Sequence, residues 1–347
     1  MRSLLIPERL KKGDKVASLS LSWGGAGDEG LLWRYHLGVE RLRDVFGLEV
    51  VAMPHALKGS AYVAAHPEKR AEDLNRAFAD SSIKAVFSNI GGDDSIRMLP
   101  YIDFEILARN PKIFLGYSDS TITHFMLLKA GVRSYYGPSI LAEFAENGEI
   151  FPYTRRSVEK ALFTSEEIGR IDLPEEWTSE YLPWTMENRT VRKKMNPCEP
   201  AICLRGSGMV RGPLIGGCIE VMEFMKETIL WDRELFDGAV IFFETSEDMP
   251  TPTSLTYFLR NYGIQGILHK AAGLVFGKPY DGKYAAEYQA AILQVLDEFD
   301  LDRLPVLFGL PFGHTEPMTV LPYGAVAELC CEDASLKILE AGTSSAE

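Results

Sequence analysis

Along the first half of the chain, short apolar runs bounded by glycine or polar turns alternate with stretches whose apolar positions recur at helical spacing. "KVASLSLS" predicts a first strand, followed by the glycine-bearing loop "WGGAGDEG" and a helix whose core includes "WRYHLGVERLRDVFG". "LEVVAMP" predicts a second strand, "HPEKRAEDLNRAFAD" a helix with Pro67 near its start, and "IKAVFSNI" a third strand ending at Gly91 and Gly92. "PYIDFEILARN" reads as helical or mixed, "KIFLGYS" as a fourth strand, "STITHFMLLKAG" as a helix closed by Gly131, and "RSYYGPS" as the lead into a fifth short element. This order predicts an α/β fold with a parallel sheet wrapped by helices.

The pattern breaks after about Phe163. "LPEEWTSEYLPWTMENRTVRKKMNPCEP" is polar and without sustained periodicity, so it reads as a long loop. From "GMVRGPLIGG" onward short strands dominate: "GAVIFFET", "AAGLVFGKP", "LPVLFGLP" and "AVAELCC", with "YAAEYQAAILQVLDEF" as a helix among them. The expected organisation is therefore an N-terminal α/β domain over residues 1–165, a connector over 166–205 carrying Trp177 and Trp184, and a smaller β-rich domain over 206–347. The final "GTSSAE" reads as a frayed tail.

Composition narrows the partners. A chain of 347 residues with 46% hydrophobic and 24% charged residues folds into one large or two medium domains. Its net charge of -13 disfavours a nucleic-acid polymer, which is bound through clustered Lys and Arg, while a small nucleotide in a local pocket is compatible. The apolar stretch before Pro7 is too short for a signal peptide, and no run approaches the roughly 20 apolar residues of a membrane span, so the expected location is cytoplasmic, away from membranes. Five scattered cysteines fit a reducing compartment. The Cys198/Cys203 spacing lacks the second ligand pair of a zinc site, and Cys330 and Cys331 face opposite ways along a strand, so the cysteines are not expected to hold a metal; no cofactor is expected either.

The candidate chemistry lies at strand ends, where open parallel sheets bind ligands. "FLGYSDST" places Ser118 in a strand-to-helix turn, with the N–H of Asp119 pointing where an oxyanion forms and Gly91 or Gly92 able to bring a second backbone amide to the same point. The same serine is also a good helix N-cap. A nucleophilic hydroxyl needs a base. His124, six residues on along the same helix, sits well around the cylinder at about 100° per residue and reads as a packing residue. His36, His55, His66 and His269 lie in helical, turn or loop patterns. His314, in "PVLFGLPFGHTEP", follows an apolar strand and a glycine, the better position for a base. In "GAVIFFETSEDMP" five apolar residues run into Glu244, which is suited to orient an imidazole, with Glu247 and Asp248 as competing choices.

These blocks, "SNIGGDDSIRMLPYID", "FLGYSDSTITH", "GPLIGGCIEVM", "AVIFFETSED" and "LFGLPFGHTEPMTVLPYGA", resemble in order and spacing those of the LD-carboxypeptidase family of serine peptidases, which includes murein-tetrapeptide carboxypeptidases and microcin C self-immunity peptidases. The resemblance spans nearly the whole chain. It implies a nucleophile at Ser118, an acid at Glu244, a base at His314, and oxyanion donors from Asp119 N–H and one of Gly91 and Gly92. It also implies a flavodoxin-like N-terminal domain, a homodimer, no metal, and an active site between the domains. The length and the Trp-bearing connector look more like the microcin-immunity branch, with Trp177 and Trp184 as candidates to stack on a nucleobase. The "GGCIE" stretch departs from the asparagine-bearing version of that branch. The expected function is hydrolysis of peptidyl or aminoacyl nucleotides through a Ser-His-Glu triad and an acyl-enzyme. Its rivals are removal of the terminal D-alanine from murein tetrapeptide and, in another class, a catalytically silent nucleotide- or peptide-binding protein.

Overall fold

The alternation of the first half folds as a largely parallel sheet. In the computed structural model, which describes residues 3–345, β1 (Lys15–Leu19), β2 (Glu49–Ala52), β3 (Ile83–Ser88), β4 (Ile113–Gly116) and β5 (Tyr135–Tyr136) pair in parallel in the order β5-β4-β3-β1-β2. Leu321–Pro322 returns from late in the chain to pair antiparallel with β5. All four residues of β4 are buried, as expected of a strand covered on both faces. The helices Leu32–Phe46 and Ser120–Ala130 end at Gly47 (φ 72°) and Gly131 (φ 77°), left-handed positions that glycine adopts without strain.

A second sheet of eight strands runs in the order 167–170, 335–341, 326–330, 209–218, 240–244, 273–277, 306–310 and 202–205. Its centre is parallel: Met209–Cys218, Val240–Glu244, Gly273–Gly277 and Val306–Leu310 point the same way. The fold is thus mixed α/β, with a parallel-strand sheet and a second, β-rich part, as expected. The helix Ser120–Ala130 is enclosed by the segments 95–101 and 104–109 and, from the second part, by 209–218 and 219–225, which is why every residue from Ser120 to Leu128 is buried and the helix shows no polar face. Contact is close at Gly217 (φ 141°), where a Cβ would come within 2.5 Å of Thr121 Cγ2. The next residue, Cys218, donates its N–H to Thr121 Oγ1 at 3.2 Å.

The segment 166–205 differs from the expected loop. Glu167–Arg170 and Ile202–Arg205 form the two edges of the second sheet, and Glu176–Trp177 pairs with Asn196–Pro197. These strands of two to four residues are too short for a period-2 signal and are held by partners distant in sequence. The helices Pro152–Leu162 and Pro252–Ile264, each with a proline in its first turn, add to the expected elements. Nor does the tail fray over its described part: Thr343 is buried and Ser344 N donates to Pro7 O at 2.9 Å, while Ala346 and Glu347 lie outside the described residues. Among the described residues no helix is long and apolar enough to cross a membrane.

Candidate active site

The carboxyl ends of parallel strands from both sheets converge on one cleft. Ser118 follows β4 and has φ 60°, a left-handed conformation that costs a non-glycine residue about 1–2 kcal/mol and holds the hydroxyl out of the turn. The turn is pinned on both sides. Ser118 N–H donates to the Tyr136 hydroxyl at 3.1 Å, and Ser118 O accepts from Thr121 Oγ1 at 2.7 Å and Thr121 N at 2.9 Å. Asp119 turns its carboxylate away to accept Ser95 N–H at 2.8 Å, leaving its backbone at the head of the helix.

Of the two glycines after β3, Gly91 is the one against the hydroxyl. A Cβ at Gly91 would lie 2.8 Å from Ser118 Cβ, 2.9 Å from Ser118 Oγ and 3.4 Å from Asp119 N. A Cβ at Gly92 (φ 143°) would instead meet Ser22 Oγ at 2.3 Å.

Glu244 ends a strand whose five residues are all buried, and its Oε2 lies 2.7 Å from His314 Nδ1. Gly313 permits this approach, since a Cβ there would be 2.6 Å from Glu244 Oε2. The other oxygen of Glu244 accepts the hydroxyl of Tyr136. Tyr136 therefore touches both the Ser118 backbone and the Glu244 carboxylate, a role missed in the sequence. Only its place at the end of the strand beside β4 could have signalled it. Burial raises the phenol well above its ordinary pKa, with the charge of Glu244 adding to the effect, so it stays a donor.

His314 keeps only 7% of its side-chain exposure. Burial opposes its charge, but Glu244 first, then Glu247 and Glu220, outweigh that effect and hold the imidazole up at about 9. Its Nε2 lies 3.1 Å from Glu247 Oε2, and among the described residues no hydrogen bond joins it to Ser118. The ring of Tyr117 meets the imidazole edge-on with centroids 5.1 Å apart.

Ser118, Gly91, Gly92 and His314 line a cavity of about 660 Å³. Trp184 lines it as well, with Trp23 stacked on it at 6.5 Å between centroids and the Arg34 guanidinium 4.5 Å from its ring centre. Trp177 is elsewhere: it is buried, with Lys278 Nζ 4.8 Å from its ring, and is not among the residues lining this cavity. Glu244 stands behind His314 rather than in the wall. Lys193 ties the 166–205 segment down by pairing with Glu146 at 2.8 Å and with Glu316, two residues past His314.

The other histidines stay apart from this cleft. His124 is buried and bonded to Ser134 Oγ at 2.8 Å and Gly116 O at 2.9 Å, and burial lowers it to about 3, a neutral core residue. His55 pairs with Asp73, and His66 with Glu68. Among the described residues no group of three or more His, Cys, Asp or Glu is placed to hold a metal ion. A hydroxyl on a strained turn at a helix start, a carboxylate-paired imidazole in the same cleft and a glycine packed against the hydroxyl are parts that acyl transfer uses.

Comparison with known proteins identifies the family. Residues 16–137 match the model of the LD-carboxypeptidase N-terminal domain and residues 211–329 that of the LD-carboxypeptidase C-terminal domain. The chain is 29% identical over 313 residues to the microcin C7 self-immunity protein MccF of Escherichia coli, covering 88% of each. It is 27% identical over 346 residues to a probable murein peptide carboxypeptidase of Bacillus subtilis, covering 97% of this chain and 95% of the relative. Among solved structures, an MccF-like protein from Streptococcus pneumoniae in complex with AMP superposes with a TM-score of 0.87 at 30% identity, over 94% of this chain and 98% of that one. MccF in complex with aspartyl sulfamoyl adenosine gives a TM-score of 0.87 at 26% identity over 98% of this chain and 100% of its own, and so does its complex with glutamyl sulfamoyl guanosine.

Proposed function

This chain belongs to the LD-carboxypeptidase family and is a serine carboxypeptidase-type hydrolase; from that premise we propose that it cleaves the amide-type bond of peptidyl or aminoacyl nucleotides, detoxifying microcin C-like compounds. Ser118 Oγ attacks the carbonyl carbon and passes its proton to His314 Nε2, while Glu244 holds the Nδ1–H and with it the tautomer. The tetrahedral oxyanion is met by the N–H of Asp119 and that of Gly91, the glycine packed against the hydroxyl. Collapse expels the nitrogen leaving group, which takes the proton from His314. Water then attacks the acyl-serine by the same route and regenerates the free hydroxyl. For the first step His314 must be neutral and Nε2 must leave Glu247.

The observation that carries the nucleotide reading is that Trp184, stacked with Trp23, lines the same cavity as Ser118 and His314. An indole offers a base a stacking surface worth about 1–3 kcal/mol. Complexes of the similar proteins with AMP and aminoacyl sulfamoyl nucleosides support it. We read residues 1–165 as the part that brings the nucleophile and 206–347 as the part that brings the acid and base. The reading includes a homodimer acting in the cytoplasm, tested by light scattering and by cell fractionation. A second reading, removal of D-alanine from murein tetrapeptide, is favoured by the similarity to the Bacillus subtilis relative.

The test is a mass-spectrometric assay of the purified protein and its Ser118→Ala variant on aminoacyl sulfamoyl adenosines and on murein tetrapeptide. Release of the amino acid from the nucleosides by the wild type alone supports the nucleotide reading. Loss of D-alanine from the tetrapeptide alone replaces it by the murein reading.

A further inference from the structure

We infer that the wall of the cleft beside His314 selects a positively charged acyl residue, so that lysyl- or ornithyl-type groups are cleaved in preference to aspartyl or glutamyl ones. The inference rests on the hydrolase reading above. The site itself is the cleft of Ser118 and His314, and the carboxylates decide what it accepts.

The C-terminal side of the cleft, formed by residues 218–224 and 246–248, brings Glu220, Glu247 and Asp248 to the cavity and no Lys or Arg. Across it, Lys193, the one Lys or Arg of the lining among the described residues, is paired with Glu146 and Glu316. Glu220 is a fixed acid: its Oε1 accepts Ser246 N–H at 2.9 Å and Ser246 Oγ–H at 2.7 Å, and its Oε2 accepts the Cys218 thiol at 3.4 Å. Among the described residues it has no cationic partner. Glu247 is a movable one, with a side chain 62% exposed and its carboxylate on His314 Nε2.

Two carboxylates flank a single imidazole, Glu244 Oε2 at 2.7 Å from Nδ1 and Glu247 Oε2 at 3.1 Å from Nε2, so negative charge exceeds positive here; Glu220 lines the same wall, where burial and then the charge of Glu244 raise its carboxyl above the ordinary value, as like charges crowded together do. An acidic acyl side chain entering here meets like charge in a partly desolvated wall, which costs affinity, whereas an ammonium or guanidinium relieves the excess. The same cation gives Glu247 an alternative partner, which releases Nε2 toward Ser118. Recognition and release of the base are then one event. The similar MccF structures hold aspartyl and glutamyl ligands; on this wall those residues are the disfavoured ones.

The experiment measures kcat/KM for lysyl-, leucyl- and aspartyl-sulfamoyl adenosine on the wild type, Glu220→Gln and Glu247→Lys. Lysyl should exceed aspartyl by roughly tenfold or more in the wild type, with leucyl between, and Glu247→Lys should erase or invert the order. Equal rates, or a preference for aspartyl, overturn the inference and leave the nucleotide reading intact. If no sulfamoyl adenosine is cleaved, the nucleotide reading falls, and the charge preference is read on peptides ending in lysyl-D-alanine and aspartyl-D-alanine. A lysyl preference there upholds the inference, while no preference or no turnover overturns it. Calorimetric binding of the three nucleosides to Ser118→Ala separates recognition from turnover, and circular dichroism checks that each variant folds.

Discussion

Tyr136 donates its hydroxyl to Glu244 across the boundary between the two sheets, and the same oxygen accepts the N–H of Ser118 at 3.1 Å. One phenol thereby ties the strained turn of Ser118 to the carboxylate that pairs with His314, the three residues of the proposed triad. Tyr136→Phe keeps the ring and removes both bonds. We expect kcat to fall roughly tenfold to a hundredfold with KM little changed, because the bonds position groups that act in the transition state rather than hold substrate. An unchanged kcat would reduce Tyr136 to packing. Glu244→Gln should cost more, on the order of 10³–10⁴-fold in kcat, by the loss of the correct imidazole tautomer.

The pH dependence follows from His314. Its pKa of about 9 lies above the ordinary value, so free enzyme at neutral pH carries an imidazolium that cannot accept the Ser118 proton. The profile of kcat/KM should therefore rise with pH along a limb near 9. Glu247→Gln removes the carboxylate on Nε2 and should move that limb down toward neutrality, by an amount limited by solvent screening of so exposed a side chain. The sign for stability is the opposite. Because the folded pKa is the higher one, the protonated imidazole stabilises the fold in full below about 6.5, and that contribution is lost as pH rises through 9. A limb at 6.5 in the wild type would refute this account.

Ser118 sits in a left-handed conformation at the proposed nucleophile position. At most positions glycine is less stable than alanine because it loses more conformational freedom on folding. At φ 60° the order should reverse: Ser118→Gly should be as stable as Ser118→Ala or more so, by about 0.5–1 kcal/mol, with both inactive. Urea titration of the two variants measures the difference.

Gly91→Ala tests the oxyanion side. The added methyl meets Ser118 Cβ at 2.8 Å and Oγ at 2.9 Å, so either the hydroxyl or the β3 loop must shift. We expect kcat to drop on the order of a hundredfold or more, as when one oxyanion donor is lost. Labelling of Ser118 by a fluorophosphonate should slow in parallel. Labelling at the wild-type rate would show that Gly91 is not needed at the nucleophile.

The two connector tryptophans should separate cleanly. Trp184→Ala should raise KM for a nucleotide substrate on the order of ten- to a hundredfold and leave a murein peptide unaffected. Trp177→Ala should instead cost about 3–5 kcal/mol of stability, as for a buried core residue, with KM unchanged in the protein that remains folded. Thermal melts and steady-state kinetics on the same samples distinguish the two.

The sequence by itself determined the alternation of the first four strands with the helices after them, because apolar runs, Pro67 near a helix start and Gly131 at a helix end are local signals that tertiary contacts did not override, while the helices Ser60–Ala65 and Pro152–Leu162 are additions that only the structure shows. It also placed Ser118, Glu244 and His314 at strand ends, since an apolar run passing into a glycine or a charge marks where a strand leaves the core. Only the tertiary structure decided that Glu244 and His314 meet at 2.7 Å, because they end different strands 70 residues apart. It decided, too, that Glu167–Arg170 and Ile202–Arg205 are sheet edges, as pairing with distant strands rather than their own pattern makes them strands. Trp184 and Trp177 look alike in a polar connector, and the fold alone puts one in the cavity wall and the other under Lys278. Glu247 shows the limit most plainly: next to Asp248 it is one more acid in a loop, and what makes it matter is a 3.1 Å approach to His314 that no spacing along the chain encodes.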